Sequence, residues 1–379
     1  MDLPPPGRFQ IRVPDEDLAE LRARLAATRW PTDAADAGWR YGTGLADLQR
    51  LTALWHTHDW RATEARLARH EHIRVDCGSH VLHAMRVGAE NPAGTILLLH
   101  GWPSSFLEMI DLAELLAFPR DGGAAYDAVA VSLPGYGLSD PPGIPGPSSY
   151  DTAVLLLRLL DGLNLEQVWV HGYDVAAGSA ARMVLLAPER ILGYHTTEPG
   201  IPSVARLAEE LTEPERAYLA YGDEWEADEG GYLAILGTRP HTLAYGLTDS
   251  PAGLAAWLFE KWHNWTLAPG AEWDWDGPLT RTLLDTLTLY WVTGCVAGAN
   301  RDFHGRDRNG VPFRTTDRVT CPVGVTLTTQ LIEHAPRALA ERLFTNIRTW
   351  AELGRCGHFV TAEAPQLIAA RIRTFTGPL

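Results

Sequence analysis

Lysine is almost absent from this chain: its 379 residues contain one, Lys261, against 31 arginines. This scarcity is typical of the codon usage of a GC-rich genome. The formal charge is −15, from 32 basic and 47 acidic side chains, and no basic run interrupts the acidic background. Nucleic acids and anionic membranes are bound through positive surfaces. The charge pattern therefore predicts neither a nucleic-acid nor a membrane partner.

Long apolar runs and cysteine clusters are also missing. No run approaches the ~18 apolar residues of a membrane span, and the first residues, Met-Asp-Leu-Pro-Pro-Pro-Gly, do not resemble a secretory leader. The cysteines are scattered, without the paired spacing of a metal or redox site: Cys77, Cys295, Cys321 and Cys356. These absences predict a cytoplasmic protein without a metal site.

What the chain does contain is ample material for a globular core, with 46% apolar residues and 14 tryptophans. Residues 73–76 and 81–87 flank the turn Gly78-Ser79 and predict a hairpin. Short apolar runs follow at 95–99 and 128–133, and further strands are expected at 167–172, 191–196, 323–328 and 347–353. Strands without polar alternation, separated by helices, are typical of a parallel sheet covered on both faces. In such sheets, ligands bind at the carboxyl edge of the strands.

The remaining segments predict additions to this α/β core. Residues 1–76 are expected to form a mainly helical extension, with one helix opening at Asp15 and another over about 45–60. Residues 77–200 and 291–379 would form the two parts of the core. Residues 201–290, rich in Trp, Glu and Tyr, are expected to form a helical lid over the carboxyl edge.

Asp174 lies where the strand at 167–172 meets the next helix, in His-Gly-Tyr-Asp174-Val-Ala-Ala-Gly. This is the strand–turn–helix pattern of the G-x-S-x-G elbow, with a carboxylate in place of the serine. A serine there acylates, whereas a carboxylate attacks saturated carbon and leaves an ester that water must cleave. His358 follows the last strand, so the order nucleophile then histidine matches that of the α/β-hydrolase fold.

Several longer motifs resemble those of a bacterial epoxide hydrolase of the microsomal type, over nearly the whole length. The resemblance rests on four stretches in order: 8–14 with 28–31, 100–106, 242–254 with Trp257 and Glu260-Lys261, and Tyr290-Trp291. It implies an α/β-hydrolase fold with a helical lid and an amino-terminal helical extension. It also implies a cofactor-independent enzyme that acts on a small epoxide.

Residue by residue, the resemblance implies that Asp174 is the nucleophile and that His358 activates the hydrolytic water. Backbone N–H groups of Trp102 and Val175 would form the oxyanion hole, where donors are needed for the tetrahedral intermediate. Proline at position 103 lacks an N–H, which leaves Trp102 as the donor in that loop. Opening an epoxide also needs an acid, and Tyr232 is similar to the first of the two lid tyrosines of the family.

The chain departs from the family at two positions. Phe303 occupies the place of the second tyrosine, so two alternatives stay open: Tyr232 acts alone, or His304 assists it. Leu331 occupies the place of the acid that orients the histidine, and Glu333 would reach that place only through a shifted loop.

Glu198, which follows the strand at 191–196, is the preferred orienting acid. Some haloalkane dehalogenases, which are relatives with an aspartate nucleophile, carry their acid after this strand. The strand ends beside the predicted position of the histidine.

These residues are compatible with four functions. The favoured one is hydrolysis of a bulky, hydrophobic epoxide to a vicinal diol through a covalent Asp174 ester. A cyclase or isomerase of secondary metabolism is the main alternative, given Phe303 and Leu331. A haloalkane dehalogenase is less favoured because Val175, not a halide-binding tryptophan, follows the nucleophile. A non-catalytic binding module is the least favoured, and a homodimer stays open.

Overall fold

A nine-stranded sheet forms the centre of the computed structural model, which describes residues 1–32, 38–120, 122–141, 146–200, 210–266, 272–330 and 334–377. Its spatial order is β1-β2-β3-β5-β4-β6-β7-β8-β9. The strands are β1 Gly7–Phe9, β2 Glu71–Asp76, β3 Val81–Val87, β4 Thr95–Leu99, β5 Asp127–Val131, β6 Val168–Gly172, β7 Ile191–Thr196, β8 Val323–Leu327 and β9 Ile347–Glu352.

The sheet is antiparallel at one end and parallel through the rest. β1, β2, β3 and β5 pair antiparallel, and the hairpin between β2 and β3 pairs Asp76 with Val81. From β5 through β4 to β9 every pairing is parallel. All residues of β5 and β8 are buried, as wholly apolar strands covered on both faces should be. The prediction of an α/β-hydrolase fold with a mostly parallel sheet is confirmed.

Fifteen α-helices are assigned within the described residues. They are α1 Asp15–Ala26, α2 Leu45–Thr57, α3 Trp60–Leu67, α4 Ile110–Ala117, α5 Ser149–Gly162, α6 Val175–Leu186, α7 Glu213–Glu229, α8 Gly231–Thr238, α9 Pro240–Asp249, α10 Pro251–Asn264, α11 Pro278–Thr293, α12 Val296–Asn309, α13 Arg337–Ala340, α14 Val360–Glu363 and α15 Pro365–Thr376.

The amino-terminal region differs from expectation in two details. The strand β1 lies in a stretch expected to be helical; at three residues it is too short to show a pattern of its own, and its pairing with β2 supplies its structure. The helix expected over about 45–60 is α2, which ends at Thr57, and a further helix, α3, begins at Trp60. The break falls at Asp59, whose side chain accepts hydrogen bonds from the N–H groups of Arg61 and Ala62 and so caps α3.

The extension and the region after β7 pack on each other. Trp55 of α2 donates its indole N–H to Thr288 of α11 at 2.8 Å, and His58 lies 2.7 Å from Asp285 of the same helix. Helices α7 to α10 follow β7 in sequence and reach the carboxyl edge, where Trp262 donates to the carbonyl of Pro103 at 3.0 Å. The limits of the predicted segments stay a prediction. The limit expected at residue 290, between the lid and the second part of the core, lies inside α11.

No helix in the described ranges is both long and apolar enough to cross a membrane. The four cysteines are free thiols. Burial raises the pKa of Cys77 to about 11 and that of Cys321 to about 12.

Candidate active site

Asp174 occupies a sharp turn between β6 and α6. Its backbone has φ 53° and ψ −132°, and within the described residues only Asn164 shares a positive φ without being glycine. This conformation is strained for a residue with a side chain, and such strain clusters at functional sites. It projects the carboxylate above the carboxyl edge of the sheet, as the elbow pattern predicts.

Two backbone N–H groups stabilise the Asp174 carboxylate. The N–H of Trp102 donates to Oδ1 at 2.7 Å, and the N–H of Val175, the next residue in the chain, lowers the pKa of the carboxyl group. Gly101 makes this approach possible, because a Cβ at that position would lie 2.7 Å from the Cβ of Asp174. The two N–H groups expected to form an oxyanion hole therefore both point at the candidate nucleophile.

The imidazole of His358 lies between two carboxylates. Its Nε2 is 3.7 Å from Oδ2 of Asp174, and its Nδ1 is 3.8 Å from Oε1 of Glu198. The ring packs against the rings of Tyr173 and Trp265, with centroids 5.3 and 5.1 Å away. These separations exceed those of hydrogen bonds, but they place one ring nitrogen toward each carboxylate, as in a nucleophile–base–acid arrangement.

The electrostatics of Asp174 are a balance of opposing effects. Burial raises the pKa of its carboxyl group, because a buried anion is poorly solvated. The charge of His358, the N–H groups of Trp102 and Val175, and the charge of Arg306 all lower that pKa. Burial is the largest effect, so the pKa of Asp174 is raised overall, and the charges and N–H donors limit that rise.

Tyr232, from α8, is part of an aromatic cluster above the site. Its ring is parallel to that of Trp102, with centroids 4.9 Å apart and an angle of 3°. Phe303 of α12 meets both rings edge-on, at 5.2 Å from Trp102 and 5.8 Å from Tyr232. Burial raises the pKa of Tyr232 well above its ordinary value, and the negative charges of Asp174 and Glu198 add to this effect.

Comparison with known proteins fits this geometry. A family model described as "Epoxide hydrolase N terminus" matches residues 6–109, and one described as "alpha/beta hydrolase fold" matches residues 94–231. A protein of Stigmatella aurantiaca whose name places it among the epoxide hydrolases is 36% identical over 96% of this chain and 83% of its own length. The chain belongs to the epoxide hydrolase family.

More distant relatives include the microsomal type. Epoxide hydrolase 1 of Sus scrofa is 27% identical, over 98% of this chain and 88% of its own length. The crystal structure of juvenile hormone epoxide hydrolase from Bombyx mori superposes with a TM-score of 0.81 at 25% identity, covering 98% of this chain and 93% of that one. The resemblance inferred from the sequence motifs is confirmed, and this family member is a hydrolase.

The structure separates the weaker site candidates. Phe303 lies in the aromatic cluster, at the place where the resemblance expected a tyrosine. His304 follows it on α12, and no hydrogen bond, ion pair or ring contact among the described residues joins it to Asp174, His358 or Tyr232. The geometry therefore does not bring His304 to the site. Leu331 and Glu333 lie outside the described residues.

The only described residues grouped closely enough to hold a metal ion are those already discussed. One ligand atom each from Asp174, Glu198 and His358 lies within 4.8 Å of the others. A base held between a nucleophile and an orienting acid requires the same spacing. The cluster can therefore be explained without a metal ion.

Two buried charged residues near the site were missed in the sequence. Glu108 accepts hydrogen bonds from the hydroxyl of Tyr173, at 2.5 Å, and from Thr361. Burial raises the pKa of Glu108, and its hydrogen-bond donors oppose this shift. Glu108 thus links Tyr173, the residue before the nucleophile, to Thr361 in the helix that follows His358.

The second missed residue is Lys261, which lies over the ring of Tyr232. The available signals were its rarity, since it is the only lysine in the chain, and its place in the lid motif at Glu260-Lys261.

Proposed function

We propose that this family member hydrolyses an epoxide to a vicinal diol through a covalent ester of Asp174. The observation that supports it best is the position of His358 between Asp174 and Glu198, beside a carboxylate that already accepts a hydrogen bond from the N–H of Trp102. The proposal gives Asp174, His358, Glu198 and Tyr232 the roles expected from the sequence.

In the first step, Oδ2 of Asp174 attacks an epoxide carbon and the C–O bond of the ring breaks. Tyr232 donates its proton to the departing oxygen, because an alkoxide is a poor leaving group near neutral pH. The product is a hydroxy-ester in which Oδ1 becomes the carbonyl oxygen, still bound by the N–H of Trp102.

In the second step, His358 takes a proton from water and the resulting hydroxide attacks Cγ of Asp174. The N–H groups of Trp102 and Val175 stabilise the negative oxygen of the tetrahedral intermediate. The Cγ–Oδ2 bond then breaks and protonated His358 gives its proton to Oδ2, so the diol leaves carrying Oδ2 and the Asp174 carboxyl group keeps one oxygen from water. That carboxyl group gives up its proton, and Tyr232 returns to its phenol form. Glu198 orients His358 and supports its cationic form.

The substrate class follows from the surroundings of the site. The aromatic cluster of Trp102, Tyr232, Trp265 and Phe303 presents ring surfaces, and apolar linings of this kind bind hydrophobic ligands. A bulky, neutral epoxide, such as an aryl-substituted one, fits this chemistry best.

A single turnover in ¹⁸O-labelled water tests the mechanism. With enzyme in excess over an aryl epoxide, mass spectrometry of the peptide containing Asp174 should show one ¹⁸O in the carboxylate and none in the diol. Asp174→Ala should give neither diol nor label. Diol formed with ¹⁸O in the product and none in the peptide would rule out the covalent ester.

A second candidate is rearrangement of an epoxide to a cyclic or carbonyl isomer, and the observation that favours it is Phe303. With one acid instead of two, the opened cation or alkoxide could be captured within the substrate. The same experiment separates the two, because an isomer retains the mass of the substrate and takes up no ¹⁸O. A chloride-release assay with haloalkanes tests the less favoured dehalogenase reaction.

A further inference from the structure

The only lysine in the chain is buried at the lid. Lys261, on α10, is 3% exposed, and its Nζ lies 4.7 Å from the ring centroid of Tyr232 and 5.6 Å from that of Trp265. Its carboxylate neighbours are Glu260, at 3.0 Å, and Glu229, at 3.7 Å. A buried lysine is rare unless it is paired, and this one is paired beside the candidate acid.

Tyr232 is otherwise surrounded by negative charge. Asp174, Glu198, Glu229 and Glu226 all raise its pKa, in addition to burial. A phenol in such an environment is a reluctant proton donor, because its anion would be both desolvated and repelled. The ammonium group of Lys261 is the cation that the described residues place over its ring.

Proton transfer from Tyr232 to the epoxide oxygen leaves a phenolate, whose charge is shared with the ring. A cation above an aromatic face is attracted by the ring even when the phenol is neutral, and the attraction grows as negative charge develops. An interaction that is stronger in the transition state than in the ground state accelerates the reaction. The family has a second tyrosine that can also donate to the epoxide oxygen, whereas this chain has Phe303 at that position.

We propose that Lys261 is a positioning residue that stabilises the developing phenolate of Tyr232, so that one tyrosine can open the epoxide. The inference rests on the proposed function, specifically on Tyr232 as the acid. The phenolate regains its proton through solvent from the Asp174 carboxyl group formed when the ester is hydrolysed, so protons balance over the turnover. Lys261 itself contacts no reacting atom.

A purely structural role is the competing explanation, since Lys261 on α10 also pairs with Glu229 at the end of α7. The two roles predict different kinetics. Support of Tyr232 affects ester formation and acts only while Tyr232 is present. A lid ion pair would affect folding, or both chemical steps, whether or not Tyr232 is present.

The test is a double-mutant cycle on the rate of ester formation with an aryl epoxide as substrate. The ester is measured by rapid quenching and mass spectrometry of the peptide that contains Asp174. Lys261→Met should slow ester formation by roughly 3- to 30-fold, the range of a desolvated cation–π interaction, and leave ester hydrolysis unchanged. In a Tyr232→Phe background, Lys261→Met should have no further effect. Equal losses in both backgrounds would overturn the inference.

Two further variants sharpen the result. Phe303→Tyr restores a second phenol and should reduce the effect of Lys261→Met to less than about 3-fold. Glu229→Gln is the matched control, because it removes the ion pair between the two helices and keeps the cation; ester formation should stay at or above the wild-type rate. A loss in Glu229→Gln like that expected for Lys261→Met would assign a structural role, even if Lys261→Met itself did not fold.

Failure of this inference is distinct from failure of the proposed function. If wild type incorporates ¹⁸O into Asp174 while Lys261→Met forms the ester at the wild-type rate, only the role of Lys261 is wrong. If wild type forms no ester, the proposed function fails first.

Discussion

Gly101 is the residue on which the geometry of the nucleophile depends most directly. A Cβ at this position would lie 2.7 Å from Cβ and 2.9 Å from Oδ1 of Asp174. The N–H of the next residue, Trp102, binds that same oxygen. Any side chain at position 101 must therefore displace either the carboxylate or its donor.

Gly101→Ala should slow ester formation by at least about 100-fold, since misplacement of a reacting group by an ångström has costs of that order. The measurement is the single-turnover rate of ester formation, with circular dichroism to verify folding. Gly246→Ala is the matched control, because no atom lies within 4 Å of a Cβ at that exposed helical position. An unchanged rate in Gly101→Ala would contradict the close approach.

Glu198 is the carboxylate that the described residues place beside Nδ1 of His358. Glu198→Gln should slow hydrolysis of the Asp174 ester by roughly 10²- to 10⁴-fold, as expected when the orienting acid of a histidine base is neutralised. Ester formation should change much less, so the ester should accumulate and be visible by mass spectrometry. Accumulation in Glu333→Gln but not in Glu198→Gln would show that the orienting acid is Glu333.

The site residues that could be predicted from the sequence are those that directly follow a predicted strand. Asp174, Glu198 and His358 each follow a strand of the parallel part of the sheet, and parallel strands bring their carboxyl ends to one edge. The contact of Lys261 with Tyr232 joins two lid helices whose relative packing no local pattern specifies. The same reason explains why the buried Glu108 was missed: its partners Tyr173 and Thr361 are distant in sequence.

Among the secondary-structure elements, prediction succeeded where an element carries its own pattern. The predicted strand 95–99 agrees with β4, and the predicted strand 191–196 agrees with β7, because both are short runs in which apolar residues predominate. The strand β1 and the break at Asp59 lacked such a pattern. Pairing with β2 and a side-chain cap decided them instead.

The loop that carries His358 is attached to the end of α10. The N–H of His358 donates to the carbonyl of Trp265 at 2.8 Å. A Cβ on Gly357 would lie 2.3 Å from Cα of Thr266 and 2.6 Å from the carbonyl oxygen of Trp265. Both contacts are with backbone, which cannot rotate away, so the position of the base and that of the lid are coupled.

Gly357→Ala should therefore move His358 away from Asp174. We expect ester hydrolysis to slow by about 10- to 100-fold, more than ester formation, and unfolding to become easier by about 1–3 kcal/mol through overpacking. Gly354→Ala, in the same loop, has nothing within 4 Å of the added Cβ and should behave as wild type in both assays. Similar rates for the two variants would argue against the coupling.

At the scale of the whole molecule, the sheet contains buried histidines in pairs. Nδ1 of His72 lies 3.0 Å from Nε2 of His83, and His171 and His195, which are register partners in β6 and β7, have their Nδ1 atoms 3.0 Å apart. Burial lowers the pKa of His72 and of His171 to about 4. The folded protein therefore holds these rings neutral at pH values where the unfolded chain protonates them.

This difference makes part of the stability dependent on pH. A histidine whose pKa falls from 6.5 in the unfolded chain to about 4 in the folded protein contributes its full stability above pH 6.5 and loses it as the pH falls toward 4. At pH 5 the loss for one such ring is about 2 kcal/mol. Buried carboxyl groups such as Glu108, whose pKa is raised, shift stability in the opposite direction, so only a comparison with a variant isolates one histidine.

His171→Asn provides that comparison, because it removes a buried titrating ring. At pH 7 the variant should be less stable than wild type through lost packing and the lost contact with His195. At pH 5 the gap should be smaller by about 2 kcal/mol, since wild type alone carries the cost of keeping His171 neutral. Urea unfolding of both proteins at the two pH values measures the gap, and His241→Asn, at an exposed position, serves as the control. A gap that is the same at pH 7 and pH 5 would mean that His171 does not titrate differently in the folded and unfolded states.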